Sequence, residues 1–251
     1  MVAGGGGIGG ATARRLAAAG ATVVIGDLDA ANAAAIAADI EARGGRALGV
    51  GCDIADEASV KALVETTVNR HGGLDLMHVN AADLGIILRD SNVVDVAIEV
   101  FDRTIAVNLR GHLLCTRHAI PQMLRRGGGA LVYTTSSAAF MGEPERPCYA
   151  MAKAGLTALM RHVASRWGKQ GIRANAVAPG LVLTGPRAGA GPSKENTQMI
   201  EEMQERVLAI TRSTRLGTPE DIAAMVAMLL SDDGAWINGQ VISVDGGVTM
   251  R

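Results

Sequence analysis

Residues 1–27 read MVAGGGGIGGATARRLAAAGATVVIGD, and this stretch predicts the first unit of an α/β fold. Glycines at positions 4–7, 9 and 10 precede a helix pattern at residues 11–17, and a strand pattern at residues 21–26 then ends in Asp27. Glycines at such a turn let the backbone approach a pyrophosphate, which the amides at the helix N-terminus then hold. A flexible glycine-rich tail would look similar, but the following strand and its acidic end favour a nucleotide-binding turn.

Asp27 is the candidate ligand for the sugar of that nucleotide. It lies at about the spacing at which an acidic residue receives a ribose 2′-hydroxyl. It has a second interpretation, as a helix cap for the segment that begins near Asp29. Its neighbours Leu28 and Asp29 offer no cation for a 2′-phosphate, so the sequence favours NAD over NADP.

Predicted helices and strands go on alternating along the chain, without a composition break or a linker. In order, they are helix Ala30–Arg43, strand Arg46–Gly51, helix Glu57–His71, strand Leu74–Val79, a helical region near Phe101–Leu124, strand Ala130–Thr135, helix Tyr149–Lys169, strand Arg173–Ala178, helix Pro219–Leu230 and strand Gln240–Val244. Strands separated by such helices imply right-handed crossovers and a parallel sheet covered on both faces. We therefore expect one α/β domain over residues 1–251, a Rossmann-like doubly wound parallel sheet in three layers.

Small polar residues follow several of the predicted strands. These residues are Asp27, Asp53, Asn80, Ser136 and the pair Pro179-Gly180. In sheets of this kind the ligand sits beyond the carboxyl ends of the strands. Loops are polar in any protein, but the repetition at one edge favours a ligand site there.

Tyr149 and Lys153 are four residues apart in a predicted helix, so both side chains project from one helix face. A phenol with an ordinary pKa of about 10 acts as a base near neutral pH only if its anion is stabilised, and a neighbouring ammonium stabilises it. Chance also supplies this spacing, so the pair alone is a hypothesis. Its surroundings must support general acid–base chemistry.

Composition excludes several classes of function. A net charge of -1 and a pI of about 6.5 leave no broad positive footprint, so we expect no nucleic-acid partner. The longest uncharged run, residues 127–142, contains Ser, Thr, Tyr and glycines, so we expect no membrane span. The histidines lack metal-ligand spacing, so no metal site is predicted. Few cysteines and no signal-peptide pattern predict a reduced, cytoplasmic compartment.

With these features in place, the chain resembles the short-chain dehydrogenase/reductase family, in its shorter single-domain form, over essentially its whole length. The motifs fall in the family's order: Gly7-Ile8-Gly9, Cys52-Asp53-Ile54, Val79-Asn80-Ala81-Ala82, Val107-Asn108-Leu109, Ser136, Tyr149 with Lys153, Pro179-Gly180-Leu181-Val182-Leu183-Thr184, Arg215-Leu216-Gly217 and Val244-Asp245-Gly246-Gly247. The resemblance implies an NAD(P)-dependent oxidoreductase. A secondary alcohol or its ketone would be the small-molecule substrate.

The resemblance also implies a set of cofactor-binding residues. They are Gly7, Ile8 and Gly9 at the pyrophosphate, Asp27 with Leu28 near the ribose, Asp53 and Ile54 at the adenine, Asn80 in a motif that matches at two of four places, Lys153 with Tyr149 at the nicotinamide ribose, and the backbone of Val182 with the hydroxyl of Thr184 at the carboxamide. Catalysis would use Asn108, Ser136, Tyr149 and Lys153.

Each catalytic residue has an implied role. Tyr149 would take the alcohol proton in oxidation or give it in reduction, with its pKa lowered by Lys153. Ser136 would position the carbonyl and hydrogen-bond the developing oxyanion, and Asn108 would support a water that connects Lys153 to solvent. Ser137 is the alternative serine, and the hydroxyl run at residues 134–137 is alternatively a set of turn caps.

Two segments depart from the family or are not fixed by it. Only Met1, Val2 and Ala3 precede the glycines, whereas a first strand runs about five residues. We therefore expect a clipped central strand and a natural chain that begins upstream. Residues 185–212 are predicted to form a substrate lid, with an apolar stripe of Met199, Ile200, Met203 and Val207 that alternatively just packs on the domain.

Two functions from different classes follow. The first is an NAD-dependent oxidoreductase, assembled by family resemblance as a homotetramer or homodimer. The alternative is a non-catalytic nucleotide-sensing or scaffold protein of the same fold, suggested by the altered first strand. The set of Asn108, Ser136, Tyr149 and Lys153 favours the enzyme, because a protein that only binds a nucleotide has no need of the tyrosine.

Overall fold

Seven parallel strands form one sheet in the part of the chain that the structure describes, a computed structural model covering residues 1–182 and 204–250. The strands are β1 Val2–Ala3, β2 Thr22–Asp27, β3 Arg46–Gly51, β4 Leu76–Val79, β5 Gly129–Thr134, β6 Ile172–Pro179 and β7 Val241–Val244. Their order is β3-β2-β1-β4-β5-β6-β7, and each neighbouring pair is parallel. The order reverses between β1 and β4, so the carboxyl ends of these strands open a crevice for a ligand.

Helices cover both faces of this sheet. The helices are α1 Ile8–Ala18, α2 Ala30–Ala42, α3 Glu57–His71, α4 Leu84–Ile87, α5 Ile98–Ile105, α6 Gly111–Arg125, α7 Pro147–Trp167 and α8 Pro219–Leu230. Residues 204–210 are helical as well. The predicted α/β fold, a Rossmann-like doubly wound sheet in three layers and one domain, is confirmed.

Two apolar cores lie on opposite faces of the sheet. One joins the strands to α3, α6 and α7, with Leu63, Met123 and Met160 among its members. The other joins the strands to α1, α2 and α8, with Ile40 and Ile222 among its members. Because both faces are covered, the central strands are almost continuously apolar.

The first strand is as short as its sequence predicts. Val2 and Ala3 are fully buried between β2 and β4, and Val2 pairs with Ile25 on one side and His78 on the other. The strand is thus two residues long at the centre of the sheet. The glycine turn therefore follows directly from the middle of the fold.

The predicted helical region near residues 101–124 is longer and is not one regular helix. Helix α5 leads into a wider turn of helix, Ala106–Arg110, before α6 begins at Gly111. A Cβ at Gly111 would lie 2.6 Å from Cγ1 of Ile54, so the helix passes very close to the loop after β3. The short helix α4 has no counterpart in the sequence-based prediction, and β4 begins at Leu76 rather than at residue 74.

The predicted lid lies mostly outside the described residues. Residues 185–203, including Met199, Ile200 and Met203, belong to the part that is not described, and Val207 lies in the helical residues 204–210. Among the helices that are described, none combines the length and the apolar character needed to cross a membrane.

Candidate active site

The glycine turn after β1 leads into the N-terminus of a helix and has an open space beside it. Helix α1 begins at Ile8, its cap residue Gly7 has a φ of 48° and no side-chain cap, and its first turn contains no acid. A Cβ at Gly9 would overlap the carbonyl oxygen of Gly4, whereas a Cβ at Gly6 would meet nothing within 4 Å. The turn is therefore closed towards the protein and open outwards, and the N-terminal amides of α1 suit an anion such as a pyrophosphate.

Asp27 lies beside this turn, at the end of β2. One of its carboxylate oxygens lies 3.2 Å from the position that a Cβ would take at Gly5. The carboxylate accepts hydrogen bonds from the amide of Asp29, at 3.0 Å, and from Nδ2 of Asn32, at 3.1 Å. Helix α2 is capped by Asp29 rather than by Asp27, so the helix-cap interpretation belongs to the neighbouring residue. Leu28 is 68% exposed.

The predicted adenine pair follows β3. Oδ1 of Asp53 accepts a hydrogen bond from the amide of Ala55 at 2.8 Å, and the amide of Asp53 donates to Oγ of Ser59 at 3.1 Å. The side chain of Ile54 is buried against Gly111. A contact between Ile54 and a nucleotide would therefore be made by its backbone.

Asn80 ties the glycine turn to the end of β5. Its Nδ2 donates to the carbonyl of Gly4 at 3.0 Å, and its Oδ1 accepts from Oγ1 of Thr134 at 2.9 Å. His78 is fully buried, and its Nε2 lies 2.8 Å from the same Thr134 oxygen. Burial lowers the pKa of His78 to about 3, so this imidazole is neutral. The network holds the turn and the strand end in fixed positions.

Ser136 and Tyr149 are joined by a side-chain hydrogen bond. Ser136 follows β5 in extended backbone, and its Oγ also accepts from the amide of Ala138 at 3.2 Å. It therefore meets the tyrosine and also caps the turn of 3₁₀ helix at Ser137–Ala139. The hydrogen bond distinguishes Ser136 from its alternative, Ser137. Ser136 thus fits both interpretations of residues 134–137, as the candidate catalytic serine and as a turn cap.

Lys153 is buried next to Tyr149. Its Nζ lies 5.7 Å from the centre of the Tyr149 ring and donates to the carbonyl of Thr134 at 2.9 Å. The residue is 1% exposed, and burial lowers its pKa to about 8. Oγ1 of Thr135 donates to the carbonyl of Lys153 at 2.6 Å, so strand end and helix are joined twice. The ammonium and the phenol lie on one face of α7, as the spacing predicts.

The pKa of Tyr149 moves in the direction opposite to the sequence-based expectation. Burial raises it, the hydrogen bond from Ser136 opposes that change, and Arg146 and Glu143 act with opposite signs. The expectation that Lys153 brings about a lowered pKa is therefore wrong for the protein chain by itself. Burial destabilises the phenolate by more than the neighbouring polar groups stabilise it, so the pKa rises.

Asn108 lies in the wider turn Ala106–Arg110 and is fully buried. Its Oδ1 accepts from the amide of Asp83 at 3.0 Å, while its Nδ2 has no hydrogen-bond partner among the described residues. Nε2 of His112 donates to the carbonyl of Ala81 at 2.9 Å, and Nε of Arg103 pairs with Asp83 at 2.9 Å. These three side chains hold the loop after β4, and the free amide group of Asn108 is a place for a water molecule.

The segment after β6 is described only in part. Val182 forms an isolated parallel bridge with Gly217, outside the seven strands, and Thr184 lies outside the described residues. The three cysteines are free and buried. Within residues 1–182 and 204–250, no group of three or more His, Cys, Asp and Glu side chains is placed to hold a metal ion.

The structure thus brings most of the predicted residues to one edge of the sheet. Sequence reasoning missed Thr134, His112, Asp83 and Asp90, which hold the site residues in place. Thr134 stood in the hydroxyl run that the sequence showed. For the others the sequence carried no signal, because the partners in these contacts lie between 25 and 59 residues away.

Known proteins are similar to this chain over nearly its whole length. The family model described as "Enoyl-(Acyl carrier protein) reductase" matches residues 2–249. A protein of Bradyrhizobium diazoefficiens named "Probable short-chain type dehydrogenase/reductase" is 41% identical over 244 residues, covering 97% of this chain and 84% of that protein. Human "Dehydrogenase/reductase SDR family member 4" is 34% identical over 245 residues, covering 98% of this chain and 84% of that protein. "Cis-4-hydroxycyclohexanecarboxylate dehydrogenase" of Sinomonas cyclohexanicum is 37% identical over 243 residues, covering 97% and 92%.

Proposed function

The chain belongs to the short-chain dehydrogenase/reductase family, and on that basis we propose that it transfers a hydride between NAD(H) and a secondary alcohol or its ketone. The observation that carries the proposal is the ammonium of Lys153, which lies 5.7 Å from the centre of the Tyr149 ring and is held by the carbonyl of Thr134 at 2.9 Å. Ser136 interacts with the same phenol and lowers its pKa. Such a group of residues performs acid–base chemistry at an oxygen. A protein that only binds a nucleotide would not need it.

Tyr149 holds the proton that the reaction moves. In oxidation its phenolate takes the alcohol proton, and in reduction its phenol gives the proton back to the carbonyl oxygen. Ser136 donates a hydrogen bond to the same oxygen, where negative charge develops. Because burial raises the pKa of Tyr149, the protein by itself favours the protonated phenol. We therefore infer that Lys153 and a positively charged ligand next to it are needed for the oxidative direction.

NAD fits the open side of the glycine turn. The amides at the start of α1 would hold its pyrophosphate, Asp27 and Leu28 would lie at the adenosine ribose, and the Asp53–Ile54 backbone would lie at the adenine. Lys153 would hold the nicotinamide ribose, and Val182 and Thr184 the carboxamide. When bound, the cofactor supplies or receives the hydride at its nicotinamide ring.

Asp27 supports NAD rather than NADP. A carboxylate beside the turn accepts a ribose hydroxyl and repels a 2′-phosphate. Leu28 is exposed and uncharged, and Arg14 on α1 is already paired with Asp39 at 2.5 Å. The carboxylate of Asp27 would accept a hydrogen bond from the ribose of NAD at the position where the 2′-phosphate of NADP would need a cation.

The substrate is proposed as a secondary alcohol because of the acid–base pair and one relative. The relative from Sinomonas is named as a dehydrogenase of cis-4-hydroxycyclohexanecarboxylate, a compound whose hydroxyl is on a secondary carbon. Met141, five residues after Ser136 in the chain, is 36% exposed and would offer an apolar contact to such a substrate. The lid proposed for residues 185–212 would complete the pocket.

A homotetramer or homodimer is the proposed assembly. Helices α5, α6 and α7 present an apolar surface with a shallow cavity of about 340 Å³, lined by Ile105, Leu109, Arg110, Leu113 and Leu159. Leu113 and Met151 are 50% and 49% exposed. A second copy of the chain would cover this face. We also propose that the protein is cytoplasmic.

The test mixes the protein with NAD or NADP and a panel of secondary alcohols, and separately with NADH or NADPH and ketones and an enoyl thioester. Absorbance of the reduced nicotinamide reports turnover. The proposal expects NAD-dependent oxidation of at least one secondary alcohol and reduction of the matching ketone. Cofactor binding without turnover across the panel would favour the nucleotide-sensing alternative. Turnover of the enoyl thioester alone would show that the substrate is a carbon–carbon double bond and not an alcohol or a ketone.

A further inference from the structure

Helix α7, which carries Tyr149, begins without a cap of its own. Its N-cap residue, Arg146, has a φ of 64° and makes no side-chain cap hydrogen bond. Pro147 follows and has no amide hydrogen. The amides of Cys148 and Tyr149 are then the first donors that the helix leaves without an internal acceptor.

Asp90 supplies that acceptor from a distant part of the chain. Its Oδ2 accepts from the amide of Tyr149 at 2.8 Å, and its Oδ1 accepts from the amide of Cys148 at 3.4 Å. The carbonyl of Ser91 accepts from the amide of Arg146 at 3.2 Å. The loop after α4 therefore closes the start of α7 across a sequence separation of 59 residues.

The charge of Asp90 makes this contact specific to a helix N-terminus. The residue is 7% exposed, and within the described residues its carboxylate forms no ion pair with Lys, Arg or His. A buried carboxylate is costly unless it is hydrogen-bonded. The two amides and the positive end of the α7 dipole provide the compensation.

We propose that Asp90 is a positioning residue for Tyr149: from the loop after α4, its side chain caps the N-terminus of α7. The inference rests on the proposed role of Tyr149 as acid and base. One of the two amides that Asp90 holds belongs to Tyr149 itself, so the contact fixes the backbone from which the phenol reaches Ser136. Helix ends fray first, and an uncapped first turn would let the phenol leave its hydrogen bond.

Two substitutions separate positioning from general stability. Asp90→Ala removes both acceptors, and Asp90→Asn keeps one neutral acceptor. The matched control is Asp56→Ala, because Asp56 caps α3 in the same way, accepting from the amides of Ala58 and Ser59, and α3 carries no candidate site residue. All three variants are measured for kcat, for the KM of NAD and for the midpoint of urea unfolding.

The positioning role predicts a split between these quantities. Asp90→Ala should lower kcat by roughly 10- to 100-fold, within the range that a lost acid–base alignment produces, with the KM of NAD changed by less than about 2-fold. Asp90→Asn should recover part of the kcat. Asp56→Ala should lower the unfolding midpoint but leave kcat unchanged. Equal losses of kcat in Asp56→Ala and Asp90→Ala, or an unchanged kcat in Asp90→Ala, would overturn the proposal.

Cys148 provides a readout that does not depend on turnover. Its thiol is fully buried, and burial together with the nearby Asp90 carboxylate raises its pKa to about 11. Removing Asp90 also removes its direct effect on the pKa of this thiol, so the labelling rates are measured over a range of pH and compared per thiolate. Loss of the cap should expose the thiol, so on this basis Cys148 in Asp90→Ala should react with a thiol reagent at least about 10-fold faster than in the parent protein. Cys52 and Cys115, also buried, serve as internal references in the same mass spectrum.

The two readouts keep the two proposals apart. If the parent protein turns over no substrate, the proposed function fails, and the labelling of Cys148 still decides whether Asp90 caps the helix. If Cys148 in Asp90→Ala stays as protected as in the parent protein, the cap itself is refuted. If Asp90→Ala does not fold, Asp90→Asn carries both measurements.

Discussion

The side chain of Ser136 is hydrogen-bonded to the phenol of Tyr149, and this bond lowers a pKa that burial raises. The two residues come from different parts of the fold, the end of β5 and the first turn of α7. The bond therefore links the strand edge to the helix that carries the proposed acid and base. Its removal has a consequence that can be measured.

Ser136→Ala should raise the pKa of Tyr149 further, because the largest opposing influence on burial is lost. The pH profile of kcat/KM for alcohol oxidation should then move to higher pH, and kcat should fall by roughly 100-fold because the oxyanion loses a donor. The control is Ser137→Ala, which removes the neighbouring hydroxyl. A profile that stays in place in Ser136→Ala would show that the hydrogen bond does not tune the tyrosine.

Asp27 should decide the choice of cofactor. The double substitution Asp27→Ser with Leu28→Arg removes the carboxylate and adds a cation where a 2′-phosphate would lie. The ratio of kcat/KM for NAD to that for NADP should fall at least about 10-fold, which corresponds to about 1.4 kcal/mol. Asp29→Asn removes a charge two residues away and should leave the ratio unchanged. An unchanged ratio in the double variant would refute the role of Asp27.

Lys153 should make the stability of the protein depend on pH. Its pKa is about 8 in the folded protein against 10.5 ordinarily, so between these values the unfolded chain binds more protons. Stability therefore rises with pH across this window, by about 2 kcal/mol between pH 7 and 9.5. Urea unfolding of the parent and of Lys153→Met at several pH values isolates the effect, because other groups titrate equally in both. Parallel curves for the two proteins would contradict the lowered pKa.

Gly9 should not tolerate a side chain. A Cβ there would overlap the carbonyl oxygen of Gly4, so Gly9→Ala should lower the free energy of unfolding by about 1–3 kcal/mol. Gly6→Ala is the matched control, because the space around Gly6 is open and its stability should change by less than about 0.5 kcal/mol. Urea unfolding measures both. Equal stability of the two variants would show that the turn relaxes around the added carbon.

The regular elements could be predicted where the pattern and the end signals agree. Strand Arg46–Gly51, helix Glu57–His71 and helix Pro219–Leu230 lie where the sequence predicts them. Asp56 caps the first of these helices, and Thr218 forms a capping box with Asp221 at the second. These signals are local, so a sequence shows them.

The parts that could not be predicted depend on contacts between distant residues. The wider turn around Asn108 is set by packing against Ile54 and the loop at Asp83, and neither contact leaves a local pattern. The spacing of Tyr149 and Lys153 showed a shared helix face but not the burial that raises the pKa of the phenol. Residue spacing predicts which side chains share a helix face, whereas the burial of a side chain depends on how the rest of the chain packs around it.

Replacing Tyr149 tests the central claim, that this residue is the acid and base of an NAD-dependent oxidoreductase. With an alcohol that the parent protein oxidises, Tyr149→Phe should lower kcat by about 1,000-fold or more, while its Kd for NAD stays within about 3-fold. Tyr133→Phe is the control, because it removes the other tyrosine hydroxyl, which is hydrogen-bonded to Thr116 at 2.8 Å, and it should keep kcat. A Tyr149→Phe protein that retains more than about a tenth of the parent kcat would contradict the account.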